Sequence, residues 1–577
     1  MKTFTSFCFL VLTVLCNGQV VNRIDHFAGR DDESSWCSVP DNFGGYYAVS
    51  YFSDSIAPDP QDPQTFLVST YGTSNVVIHV SASGQLLWML PLANGSASVT
   101  ELIADQTGAV YMFGTHTGSM YLDSTYGFQF TAPSSNNRDI FLAKFDYNGA
   151  LVWIDMLTEV NGQMRYNQAN AITLHGNDVV VAGKFHQTVD FDPGAAQYPL
   201  TGPGNVNDYS MFLAAYSQSD GTWIRTTELT SSGGKFSVNG IECIASGKIF
   251  ITGTVDSAVD FDPGTGATQL SGGGDDDLYI ACYSNNHALQ WAMLRSGAND
   301  QEINDLAVTA DRVIICGAYG DNMDFDPDPS SAAILSVNTS FVATYDTSGN
   351  FVWVSEIRQT TNLGSSHPLT LDVWGNAVLT GGSFTSSADL DPSSATFLVA
   401  GGNTFVKGFV AIYDLGDGHF RKGWSTGGTG AFASQVRDIC HTTPTTMLID
   451  YTFDGVLDVD PTTGTNSVSC TSPSSGFVRD VCIVVYDFMV GMQESATTEL
   501  SFTAFPSPAD EQLHISCTEA FTGVSVYNAN GQLLFSENFA AHTFYTVGTG
   551  NLAEGVYILE VTTGQAITRK QFSVIKQ

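Results

Sequence analysis

Short apolar runs recur along this chain, separated by clusters of Gly, Ser, Thr, Asn and Asp. Between residues 170 and 229, for example, stand AITLH, DVVVAGKF, MFLAAYS and GTWIRTTEL. Each has the length and the Val, Ile, Thr and aromatic content of a β-strand, and the residues between them suit tight turns. Four such strands joined by short turns make one antiparallel blade. Blades stacked radially bury both faces and protect their edges, so the pattern predicts an all-β chain built as a β-propeller.

The unit repeats. Trp88, Trp153, Trp223, Trp291, Trp353 and Trp424 lie 65, 70, 68, 62 and 71 residues apart. A phrase is shared around them: VVIHVSASGQLLW at 76–88, FLAKFDYNGALVW at 141–153 and FVATYDTSGNFVW at 341–353. Gly84, Gly149 and Gly349 occupy the hairpin position that needs a positive φ. A second landmark keeps step, with Asp-Phe-Asp-Pro at 190–193, 260–263 and 324–327, Asp-Leu-Asp-Pro at 389–392 and Asp-Val-Asp-Pro at 458–461. Gly183, Gly253, Gly317 and Gly382 each stand seven residues before the first Asp; Tyr451 holds that place in the last copy. Six clear units and a degenerate one at about 22–92 predict seven four-stranded blades, with six and eight left open. The phrase resembles the SBBP β-propeller repeat of bacterial exported proteins over about 95–490 and, more loosely, 22–94. That resemblance implies a fold and not a function, because propellers host binding proteins and many enzyme classes.

Past residue 490 the pattern changes. GMQESATTEL (491–500) reads as a polar linker. FPSPADEQLHIS (505–516), VSVYNANGQLLFS (524–536), LAEGVYILEVTT (552–563) and RKQFSVIK (569–576) read as four strands, with turns at Asn530-Gly531 and Glu554-Gly555. Residues 501–577 suit a small β-sandwich that buries Val524, Val526, Leu533, Val556, Ile558 and Leu559. The segment resembles the type A sorting domain of the Bacteroidetes type IX secretion system. It shares the Pro-x-Pro-Ala-x-x-x-Leu opening, the Tyr-x-x-x-Gly-Gln turn, the Leu-x-x-Gly-Val-Tyr strand and the basic last strand, with Ser507 where Asn is usual. The resemblance implies export by that machinery through residues 501–577, removal of the domain, and release or surface attachment of the propeller.

The N-terminus agrees with export. Lys2, an apolar run from Phe7 to Leu15, and Cys16, Asn17 and Gly18 read as a signal peptide over 1–18, leaving the propeller at 19–490. The run is too short to span a membrane, and no later segment is apolar enough to do so. Cys16 as a lipidated residue is disfavoured by Leu15, which stands where a small residue is needed. The net charge of −37, from 58 acidic and 21 basic residues, argues against nucleic acid and anionic lipid as partners. It leaves carboxylates for hard cations such as calcium. Eight cysteines outside the signal form no CxxC pair, which argues against zinc. Cys282 and Cys316, within apolar runs, read as buried thiols, with one or two disulfides left open.

The Asp-x-Asp-Pro motif is the main candidate for chemistry. The two aspartates of each copy share a strand face: Asp190 with Asp192, Asp260 with Asp262, Asp324 with Asp326, Asp389 with Asp391, and Asp458 with Asp460. Unpaired carboxylates inside a blade would cost several kcal/mol, so the pairs are expected at strand ends on one rim. Two readings apply. In the first, Asp caps a turn, Pro fixes it and the middle residue packs between blades; in the second, the aspartates bind calcium with backbone carbonyls. The Trp residues are expected to pack between blades, not to form a sugar platform. SQSDGTW (217–223) is superficially similar to the Asp-box of sialidase-type propellers, but its spacing differs and it occurs once, so it reads as a hairpin turn. No local catalytic triad or nucleotide motif appears. The leading expectation is a monomeric, non-enzymatic exported propeller that binds an extracellular glycan or protein. A polysaccharide hydrolase or lyase is the alternative, and a structural surface component is a third. Convergent non-repeated polar groups with shifted pKa values at the channel mouth would favour an enzyme.

Overall fold

A computed structural model of the chain describes most of residues 19–488 and 502–574, leaving out short stretches of the connections, of which 360–366 and 471–477 are the longest. The expected signal peptide (1–18) and linker (491–500) lie outside the described residues. The chain separates into two compact units, Met1–Met489 and Val490–Gln577. Among the described residues there is no helix long and apolar enough to cross a membrane.

The first unit is a seven-bladed propeller. Its third blade is built from the four runs quoted above: Gln168–His175, Asp178–Phe185, Ser210–Ser217 and Trp223–Leu229, paired antiparallel in that order from the axis outward. Six blades follow this scheme, and their inner strands are Glu33–Pro40, Ala97–Ala104, Gln168–His175, Gly240–Cys243, Gln301–Val308 and His367–Trp374. The seventh is composite. Ser434–Thr443, Thr446–Phe453 and Asp480–Phe488 supply three strands, and Gln19–Phe27 from the other end of the unit supplies the outermost. The seven-blade reading therefore holds, but residues 22–27 belong to the last blade and not to a degenerate first one. The inner strands touch one another in cyclic order around the axis.

Hydrophobic burial explains the closure. Seven core clusters lie between neighbouring blades, each drawing side chains from both. The seam of blades 7 and 1 is as apolar as the rest, with Phe27, Tyr46, Phe52, Val76, Val481 and Ile483 fully or almost fully buried. A blade with two apolar faces is stable only between two others, and a closed ring satisfies all seven.

The C-terminal unit is also all-β. Phe502–Phe505, Gln512–Asn528, Leu533–Gly548, Gly555–Thr562 and Ile567–Val574 form a single sheet. A parallel bridge between Ala509 and Val574 brings its ends together, so the sheet is a nearly closed barrel where separate sandwich layers were expected. The reason is the length of Gln512–Asn528, which stays extended through segments that read as separate strands. Val524, Val526 and Leu559 are buried as expected, whereas Ile558 is only half-buried. Val526 pairs with Leu559 and Val524 with Val561, which turns Tyr557, Leu559 and Val561 inward. The side chains of Leu533 and Val556 lie outside the described ones.

Candidate functional site: the blade clasps and the channel carboxylates

Between its second and third strands every blade sends out a short hairpin that reaches the outer edge of the preceding blade. Thr188–Asp190 pairs with Leu151–Glu159, and Ser387–Asp389 with Phe351–Gln359. At the ring closure the corresponding contacts are the Gly29–Ile56 bridge and the 2.8 Å bond from Ala57 N to Ala28 O. All five Asp-x-Asp-Pro motifs lie on these clasps.

Their geometry is uniform. Asp190 Oδ1 accepts the N–H groups of Asp192 (3.1 Å) and Tyr198 (2.9 Å). Asp260 does the same for Asp262 and Thr268, Asp324 for Asp326 and Ala333, Asp389 for Asp391 and Phe397, and Asp458 for Asp460 and Asn466. The second carboxylate caps the following turn: Asp192, Asp262, Asp326, Asp391 and Asp460 accept from the N–H two residues on, at 2.8–2.9 Å. The residue between the aspartates is fully or almost fully buried between blades: Phe191, Phe261, Phe325, Leu390 or Val459. Its carbonyl accepts a hydrogen bond from a buried tyrosine of the third strand. Tyr216, Tyr283, Tyr345, Tyr413 and Tyr486 each donate at 2.9 Å. These tyrosines are a third landmark that was visible as the final Tyr of MFLAAYS, YIACYS, FVATYD, FVAIYD and CIVVYD.

The Trp repeat seals the seams. Trp88, Trp153, Trp291 and Trp353 donate their indole N–H to carbonyls of the next blade's outer hairpin, those of Tyr147, Gln218, Thr347 and Leu415. Gly149 (φ 83°) and Gly418 (φ 72°) in those hairpins lie so near the indoles that a Cβ would sit 2.9 and 2.7 Å from ring atoms. Glycine is thus required there both for backbone conformation and for space. SQSDGTW closes the outer hairpin of blade 3, where Gly221 has φ 75° and Asp220 accepts from Thr222 N.

The axis differs. Reading the inner strands by their pairing, the position facing Phe113, Cys316 and Asp450 holds Glu101, Asp305 and Asp438, while the same place is Cys37, Ala171, Gly240 and Thr370 in the other blades. Two residues further along, on the same strand face, stand Glu242 and Asp372, with Thr173 and Cys440 among their counterparts. The neighbouring Leu102, Ile241, Leu306, Leu371 and Ile439 point into the seams, which leaves the acids on the channel side. Several bridge blades: Glu101 accepts from Ile172 N (2.8 Å), Asp305 from Leu371 N (2.6 Å), Asp438 from Ser38 N (2.8 Å), and Glu242 from Thr173 Oγ1 (3.1 Å).

Enclosure of these acids by protein favours the neutral carboxyl. Burial raises Asp305 to about 8, Glu242 to about 7 and Asp438 to about 6, and holds Glu101 well above the carboxylate range. The charges of Glu242, Asp305 and Asp438 add to the effect on Glu101, while the Ile172 N–H opposes it. His441 Nδ1 lies 2.8 Å from Asp372 Oδ2, and its side chain is 43% exposed. That hydrogen bond raises the His441 pKa against partial burial. The inner acids were legible only as charges interrupting apolar runs, in TELIAD, GIECIA, INDLAV and VRDICH, and no repeat marked them. Among the described residues no group of three or more His, Cys, Asp or Glu is arranged to hold a metal ion.

Residues 503–576 match the secretion system C-terminal sorting domain. The C-terminal unit is that sorting domain. It indicates a protein that is secreted, surface-attached or extracellular, and it implies contact with the type IX secretion machinery. The sorting domain is thus the addressed part of the chain and the propeller its cargo. The likeness of the propeller repeats to the SBBP type rests on their sequence alone. No curated protein matches the chain. Similar solved structures include a Dyadobacter fermentans protein of unknown function (8% identity, 82% of this chain and 99% of that one, TM-score 0.33). Drosophila Semaphorin 2a (7%, 95% and 98%, TM-score 0.24) and Trypanosoma rangeli sialidase (7%, 85% and 86%, TM-score 0.28) are others. Superpositions this loose carry no functional inference.

Proposed function

We propose that the propeller is a non-catalytic binding scaffold, exported by its sorting domain, that holds an extracellular glycan or protein at the channel end marked by His441 and Asp372. The supporting observation is that the repeated polar residues are occupied in clasps and seams, which leaves the half-exposed His441 and the Asp372 it bonds at the channel for a partner. The raised carboxyls of the channel, by contrast, are the feature expected of an enzyme and carry the second reading. Residues that vary over a constant scaffold are where a specific partner is recognised. Glu242, with a pKa of about 7, also favours a second reading as a polysaccharide hydrolase, because a carboxyl poised near neutrality is suited to acid–base work. Calcium at the aspartate pairs is a separate finer reading. It needs ligands beyond Oδ1 of each pair, since both of those oxygens accept backbone N–H groups.

The test is co-sedimentation of the full chain with insoluble polysaccharides and cell-surface material, together with release of reducing ends. Retention without release, lost in an Asp372→Asn/His441→Ala variant, supports the scaffold. Release that disappears in Glu242→Gln overturns it in favour of the hydrolase.

A further inference from the structure

The seam between blades 3 and 4 departs from its siblings. Trp223 pairs with Tyr216, as Leu151 does with Phe145, and the place of Trp153 belongs to Arg225, whose Nη1 donates to Asn285 O of the next hairpin at 2.6 Å. The Trp223 indole N–H turns back to Thr226 Oγ1 of its own strand at 2.9 Å, and its ring lies tilted against Tyr198 at 4.5 Å. In the outer hairpin of blade 4, the place held by Gly149 and Gly349 in other blades belongs to His287. The turn bond is the same, with His287 N donating to Ser284 O at 2.8 Å as Gly149 N does to Asp146 O at 2.9 Å. His287 adopts φ 62°, a left-handed conformation that glycine reaches without a Cβ clash and that few other residues adopt. His287 is 2% exposed; its Nδ1 lies 3.0 Å from Thr227 Oγ1, and its buried Nε2 has no hydrogen-bond partner among the described residues.

Beside this seam lies a cleft of about 520 Å³, within the range of small-molecule sites. Tyr198, 37% exposed, forms one wall, and Thr226, Thr227, Glu228, Asp262 and His287 supply polar groups. Glu228 Oε1 accepts from Ser210 Oγ at 2.6 Å and Asp262 Oδ1 from Gly264 N at 2.8 Å, which leaves each carboxylate a second oxygen. No lysine or arginine is among the described residues lining it, so an anionic ligand is disfavoured. Burial, with the charge of Arg225 adding, lowers the His287 pKa to about 3, so at neutral pH the ring offers hydrogen bonds and no charge.

We propose that this cleft is a carbohydrate subsite, taking a neutral pyranose ring of a glycan with its apolar face on Tyr198 and its hydroxyls toward His287, Glu228 and Asp262. An aromatic wall beside carboxylate acceptors and an unpaired ring nitrogen suits a ligand that is apolar on one face and hydroxylated at its rim. The subsite rests on the reading of the chain as a binding scaffold but not on the channel.

The full chain is titrated by calorimetry with the methyl glycosides of glucose, galactose, mannose and N-acetylglucosamine, and with the corresponding tetrasaccharides. Saturable binding of at least one probe is expected, weakened tenfold or more by Tyr198→Ala and by His287→Gly and unchanged by Asp417→Asn in the exposed outer hairpin of blade 6, with Asp372→Asn reporting on the channel. His287→Gly installs the residue of the sibling hairpins, so it should melt no lower than the parent, which separates lost binding from lost folding. Absence of saturable binding by every probe overturns the subsite. So does binding that both cleft variants leave intact, and loss confined to Asp372→Asn would move the glycan to the channel.

Discussion

The perimeter and the axis of the propeller use the same residue type in different ways. On the clasps, Asp190, Asp260, Asp324, Asp389 and Asp458 make the same two backbone hydrogen bonds in five blades. On the inner strands, Glu101, Glu242, Asp305, Asp372 and Asp438 occupy places that are apolar, small or hydroxylated in other blades. A polar residue that recurs with identical partners is maintained by the fold. Glu101, Asp305 and Asp438 share one inner position in three blades and accept the matching N–H of the next blade, from Ile172, Leu371 and Ser38, so they too brace the ring. Asp372, held by the half-exposed His441, has no repeated bond and is available to a ligand. The count of acids alone hides this difference, and only their partners expose it.

The comparison is broken most severely at the clasps. Phe325 is wholly buried between blades 4 and 5, so Phe325→Ala should cost about 3–5 kcal/mol, read from the midpoint of chemical unfolding. An unchanged midpoint would mean that the clasps do not hold the blades. Asp389→Ala should cost about 1–3 kcal/mol, because the N–H groups of Asp391 and Phe397 lose their acceptor. Asp389→Asn, which keeps an oxygen there, should recover most of that loss.

The axis is probed by pH. Carboxyls raised by burial bind protons more readily folded than unfolded. Their stabilisation is complete below the ordinary carboxylate range and is lost as pH rises through the folded values, here from about 4 to about 8. The melting temperature should therefore fall over that window from this cause, and Asp305→Asn should flatten the fall. A slope unaffected by Asp305→Asn would contradict the enclosure of the channel acids. The smallest effect concerns calcium. If the aspartate pairs serve only as turn caps, adding calcium or a chelator leaves the melting temperature unchanged, whereas a rise of several degrees with calcium would return those pairs to metal binding.

The blade count, the hairpin glycines and the placement of the Asp-x-Asp-Pro motifs at strand ends were legible because each depends on local chemistry repeated in phase. The clasping of one blade by the next was not, since the hairpin that carries the motif pairs with a strand about thirty residues before it and no local signal names that partner. Composite blade 7 was missed for the same reason: Gln19–Phe27 pairs with Asp480–Phe488, and only ring closure brings those ends together. The channel acids come from different blades, so their convergence is a property of the ring. In the sorting domain, one-residue parity decided the core. LAEGVYILEV alternates on both faces, and the pairing of Val526 with Leu559 selects which is buried.

The central claim, that the repeated acids hold the fold and the pair Asp372 and His441 recognises a partner, is tested most directly by measuring unfolding and polysaccharide retention for two variants side by side. Asp389→Ala should melt lower yet be retained like the parent below its transition, and Asp372→Asn/His441→Ala should melt like the parent yet lose retention. The reverse pattern, with the clasp variant failing to bind while fully folded and the channel variant binding normally, would contradict the account.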